Sequence, residues 1–131
     1  ITRAESGALS IISSASARRR SAIPPRDVRL ELKSYAPALT AHFEALDLAR
    51  ELDDKFYIAM AARGISQIYH SNYCFSEELE FAKIAYENFL LAGRRPFTDD
   101  GLFFLASAYH NNHDYEKSVE SFEMGGQSRG V

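Results

Sequence analysis

The chain has a single cysteine, Cys74, so no disulfide can close within these 131 residues. Every apolar stretch is cut by Glu, Lys or Arg well before the ~20 residues that a membrane-spanning helix needs. Neither sign of charge dominates. Fifteen Lys and Arg against 18 Asp and Glu leave a net charge of −3 and a pI near 5.8, which speaks against general binding to nucleic acid. There is no glycine-rich phosphate loop, no Gly-x-Ser-x-Gly elbow and no metalloprotease motif. No segment alternates apolar and polar residues over a useful length, so strands are not expected and the class is all-α. The chain opens on Ile1 with neither an initiating Met nor a signal peptide, which reads as a trimmed or processed piece of a longer protein. What is present is 46% hydrophobic and 25% charged residues, a balance that suits a packed core.

The strongest positive signal is a repeat. Tyr35-Ala36-Pro37-Ala38-Leu39, Phe75-Ser76-Glu77-Glu78-Leu79 and Tyr115-Glu116-Lys117-Ser118-Val119 start 40 positions apart. Ala45, Ala85 and Gly125 each follow ten residues later. Ile65-x-x-x-Tyr69 and Leu105-x-x-x-Tyr109 precede the second and third copies at the same spacing. A fixed period of this size indicates stacked helix pairs, none of which can bury its apolar face alone.

The periodicity predicts helices over 37–52 and about 56–71, with stripes Leu39, Phe43, Leu46 and Ile58, Ala62, Ile65, Tyr69. Pro37 is expected in a first turn. Asn72 is a natural stop and Ser76 a natural cap for the next helix, whose stripe is Leu79, Ala82, Tyr86 and Phe89 and which ends at Gly93. Pro96 opens a further helix capped by Thr98 or Asp99, with Leu102, Leu105, Ala106 and Tyr109 facing inward. Asp114 caps the last helix, which Gly125-Gly126 should halt. Tyr69 and Tyr109 are expected to be buried against the following helix, and Ala38, Ala45 and Ala85 to permit close approach. Three divisions result: a helical lead-in with an Arg- and Pro-rich break over 1–34, repeats over 35–124, and a frayed tail over 125–131.

Across residues 35–124 this pattern resembles the tetratricopeptide family. Ile65, Tyr69, Phe75 and Ala85, and again Leu105, Ala106, Tyr109, Tyr115, Phe122 and Gly125, fall where that family places packing residues. The usual period is about 34 residues, so these units are a long-helix variant. Glu78 departs from the pattern by standing where a small residue is usual, and Pro24-Pro25 interrupts the first unit. The resemblance implies a right-handed superhelix of stacked antiparallel helix pairs. It further implies a protein- or peptide-binding scaffold, not an enzyme, with no cofactor. The run Ala8-Leu9-Ser10-Ile11-Ile12 before an Arg-rich stretch is also similar to repeat regions of bacterial sensor, regulator and envelope proteins, on the cytoplasmic or periplasmic side.

In that family the ligand-holding residues lie on the first helix of each pair. Here they are Arg63, Gln67, His70 and Ser71 in one unit and Phe103, Ser107, His110 and Asn111 in the next. Arg63 is the foremost candidate, because a guanidinium can hold a carboxylate with two bonds. The alternative is a small-molecule or metal-binding sensor, or an enzyme, using His70, His110 and Arg63. No three ligands share metal spacing on one helix, and Cys74 beside His70 suits a buried small hydrophobe better than a dyad. The acid pairs Asp53-Asp54 and Asp99-Asp100 suit helix ends better than catalysis. Arg18, Arg19 and Arg20 with Arg26 and Arg29 suit a solvated break better than a phosphate site. The last helix should expose an apolar edge at Val119 and Phe122, open to a further helix or to self-association.

Overall fold

A computed structural model of the chain describes residues 28–129 and, apart from them, Gly7, with side chains described from 35 to 126. Of the expected lead-in over 1–34, residues 1–27 lie, Gly7 apart, outside the described residues, and with them the Arg18–Pro25 break. Five α-helices make up the described part: α1 (Val28–Glu51), α2 (Lys55–Ser71), α3 (Phe75–Ala92), α4 (Arg95–Asn111) and α5 (Tyr115–Arg129). No strand occurs among the described residues. Each helix packs on the one before it, as two- and three-residue connections require.

The helix ends show a finer period than the repeat alone suggested. The chain turns left-handed at Asp53, Tyr73, Gly93 and His113, every 20 residues, with φ of 52°, 62°, 71° and 63°. At three of these turns the same two bonds close the helix. Tyr73 N–H donates to His70 O at 3.1 Å and Cys74 N–H to Tyr69 O at 2.9 Å. Asp53 and Asp54 repeat the pattern on Arg50 and Ala49, and His113 and Asp114 repeat it on His110 and Tyr109. This is the αL ending that satisfies the last carbonyls of a helix. Only Gly93 adopts it without a Cβ penalty. Asn72 and Asn112 add side-chain amides that donate to Ile68 O and Ala108 O at 2.9 and 2.8 Å.

Several expected boundaries move. Helix α1 begins at Val28, so Pro37 lies inside it and not in its first turn. The carbonyl four residues before Pro37 therefore lacks its helical donor. Neither Ser76 nor Thr98 nor Asp99 is a cap: α3 and α4 start earlier, behind Cys74 and Arg94, with no side-chain capping bond. Asp54 and Asp114 do cap, accepting from Tyr57 N–H at 3.3 Å and Lys117 N–H at 3.2 Å. Gly125-Gly126 does not halt α5, which runs on to Arg129. Gly125 is covered by the Phe103 ring and Leu102 of α4, so packing outweighs its low helix propensity.

The core falls into three clusters, the first two joined through Phe81 and Ile84 of α3. Leu39, Phe43, Leu46 and Ala49 of α1 pack on Ile58, Ala61, Ile65 and Ile68 of α2. Each fully buried Leu or Ile contributes roughly 1.5–3 kcal/mol. Tyr69 is 2% exposed, as expected. Its ring stacks on Phe81 of α3 at 5.8 Å, and Phe81 meets Phe43 of α1 edge-on at 6.0 Å. One aromatic trio thus ties α1, α2 and α3 together. Burial raises the Tyr69 phenol to about 12, helped by Cys74, Glu77 and Glu80 nearby. Tyr109 is only half-buried, against expectation. Ser121 of α5 stands where α3 has Phe81, so no ring covers it; Lys83 and Lys117 lie over it instead, at 5.6 and 5.7 Å. Ala85 is buried beside Ala59 and Ala62, but Ala45, its equivalent on α1, is exposed.

Candidate functional site

Helices α2 and α4 hold equivalent places in the repeat, and their side chains meet. Near the C-terminal ends the contact is made through Glu78 of α3. Its side chain is only 8% exposed, and its Oε2 lies 2.7 Å from His70 Nδ1 of α2. Asn111 of α4 donates from Nδ2 to Glu78 Oε1 at 3.1 Å. A proton on the His70 nitrogen that faces Glu78 makes that contact a hydrogen bond, and the other ring nitrogen is then the acceptor of the neutral ring. Asn111 Nδ2 also lies 3.3 Å from His70 Nδ1.

The backbone beneath this cluster is pinned by a bond that changes direction between units. Ser66 Oγ of α2 donates to Glu78 O at 3.0 Å. One unit later the hydroxyl sits on the other helix: Ser118 Oγ of α5 donates to Ala106 O at 2.8 Å. Each pair of helices has one hydroxyl at this crossing. Because Ser66 supplies it from the first helix of the earlier unit, the second helix there is free to carry Glu78 at the position that Ser118 takes one unit later.

Further along the same side, Arg63 lies over the Phe104 ring, 5.8 Å from its centroid. Among the described residues Arg63 forms no ion pair, so neither Glu78 nor Glu80 neutralises it. Arg63, Ser66 and Gln67 line a small hollow together with Ala85, Gly101 and Phe104. Gln67 and Ser107 are exposed. The arrangement presents a cation and an amide beside an exposed ring, with the Ser66 hydroxyl lining the same hollow. That set can bind a peptide backbone or an acidic group.

The structure thus brings Arg63, Gln67, His70 and Asn111 into one region. Ser71 is exposed, and its hydroxyl donates back to Gln67 O at 3.1 Å. Phe103 is turned away: its ring meets Phe122 of α5 at 5.7 Å and covers Gly125. The apolar contact expected of it falls to Phe104, one residue on and 100° round the helix. His110 packs edge-on against Tyr115 at 5.3 Å, and His113 Nδ1 lies 2.9 Å from the Tyr115 hydroxyl. His70 has the equivalent neighbour in Phe75, at 6.2 Å. No group of three His, Cys, Asp or Glu side chains able to hold a metal occurs among the described residues. The residues that sequence reasoning missed are Phe104 and the anchoring role of Glu78. The signal for Glu78 was visible, as an acid at a small-residue position.

The chain matches no family of known proteins, no curated protein and no solved structure. No helix among the described residues is long and apolar enough to cross a membrane.

Proposed function

We propose that the chain is a protein- or peptide-binding module of tetratricopeptide type. In this reading its helix pairs form a right-handed superhelix, and the face shared by α2 and α4 is the binding surface. The module would serve as scaffold or sensory part of a larger bacterial protein. The observation that carries the reading is Arg63, a cation with no acidic partner among the described residues, beside the exposed Phe104 ring and the exposed amide of Gln67. Structural arginines are commonly neutralised by a neighbouring acid, and an exposed pair of that kind contributes little. An unpaired guanidinium over a ring instead suits a carboxylate or backbone carbonyl of an extended partner.

The test is capture of partners from source lysate by the wild type and by an Arg63→Ala, Gln67→Ala variant. Asn111 is left intact, because its amide holds Glu78. Loss of the captured partners in the variant, with an unchanged thermal melt, supports the reading. Equal recovery places the partner elsewhere.

A further inference from the structure

A second surface lies at the opposite end of the repeat, between α1 and α2. Leu48, Leu52 and Tyr57 are 56%, 70% and 62% exposed there. With Ala45, Ala49 and Met60 they line one open apolar groove. Scattered single apolar residues on a surface carry no message, but a contiguous lining does.

The repeat itself shows what such a groove receives. Forty positions on, Ala85 and Phe89 of α3 stand where α1 has Ala45 and Ala49, and Phe97 of α4 stands where α2 has Tyr57. That later groove is filled. Phe56, Ala59 and Ala62 of α2 pack into it, and the Phe56 ring meets Phe89 and Phe97 at 6.0 and 5.0 Å. Phe89 becomes 0% exposed. At the first groove the filling residues are missing from the repeat register. Ser16, Arg19 and Ala22 stand 40 positions before Phe56, Ala59 and Ala62. Ala49 in place of Phe89 also makes this groove roomier by a ring, so an incoming helix needs a bulky side chain followed by small ones.

Charge narrows the occupant further. Glu44, Asp47 and Glu51 are exposed along α1, and Asp54 lines the groove, against Arg50 alone on that stretch of α1. Helix α2, which fills the later groove, carries Lys55 and Arg63 and no acidic residue. We infer that the α1–α2 groove is a docking site for a basic amphipathic helix of a partner protein. That helix presents an aromatic residue followed at i+3 and i+6 by small residues, as Phe56, Ala59 and Ala62 do. This surface is separate from the α2–α4 face and does not depend on it.

The probe is a fluorescein-labelled peptide of residues 55–71, titrated with the whole chain by anisotropy. Saturable binding is expected, weakened by added salt and at least tenfold weaker for Leu48→Glu. Because Leu48 is largely exposed, that variant should melt as the wild type does. A Phe122→Glu variant serves as the control for the open edge of α5. No saturable binding by the wild type overturns the inference. So does binding that survives Leu48→Glu or that is lost only in Phe122→Glu.

Discussion

Replacing Gly64 by Ala probes a close contact between α1 and α2. Glycine inside a helix is worth about 1 kcal/mol less than alanine, so in open space the change would stabilise the protein. Gly64 is not in open space. A Cβ there would fall 2.6 and 2.7 Å from Nε2 and Nδ1 of His42, whose ring lies across the glycine. One unit later the bulk is exchanged: Ala82 stands at the register of His42 and Phe104 at that of Gly64, and both line the same hollow. The ring is the far end of a half-buried side chain and can swing aside, so the added methyl costs about 0.5–1.5 kcal/mol in a displaced rotamer. Set against the propensity gain, Gly64→Ala should be close to neutral. In a His42→Ala background the same change should stabilise by about 1 kcal/mol. Four urea melts followed by helical circular dichroism close the cycle, with an expected coupling of about 1 kcal/mol. Equal stabilisation in both backgrounds would refute the contact and the volume exchange with it.

Two further perturbations bear on the buried polar groups. Glu78→Ala and Asn111→Ala should each lower stability by about 1–2 kcal/mol in denaturant melts. The double variant should lose less than their sum, since both remove one bond; strict additivity would mean the two groups do not meet. The Tyr69 phenol keeps its proton to about pH 12 in the fold against the ordinary 10.0. Stability is therefore full below pH 10 and falls between pH 10 and 12, where the unfolded chain ionises and the folded one does not. The loss amounts to on the order of 2 kcal/mol. Tyr69→Phe should flatten that decline, and an unchanged alkaline profile would contradict the burial of the hydroxyl environment.

The helical class and the inner stripes were legible because they depend on local periodicity. Ile58, Ala62, Ile65 and Tyr69 recur at helical spacing and are all buried. The turns were legible in part. Asn72 and Asp114 declare themselves by side-chain chemistry, whereas the αL turn at Tyr73 does not, because its residue gives no local preference for positive φ. Helix α1 was misread at its start, since Pro37 signals a first turn whereas the helix begins nine residues earlier, at Val28. At the candidate site, Arg63 and Gln67 came from the family resemblance, carried over by position in the repeat. Phe103 and Phe104 could not be separated from sequence, because adjacent positions differ only by rotation about the helix. The bond of Asn111 to Glu78 joins residues 33 apart, and no local pattern encodes it.

The central claim is that the face shared by α2 and α4 is the working surface. Photo-crosslinking in cells that make the protein tests it directly, with a benzoylphenylalanine placed in turn at the exposed positions Gln67, Ser107, Glu87 and Glu120. The account predicts the same covalent partner from Gln67 and Ser107 and none from Glu87 or Glu120. Adducts from Glu87 and Glu120, with none from Gln67 and Ser107, would contradict it.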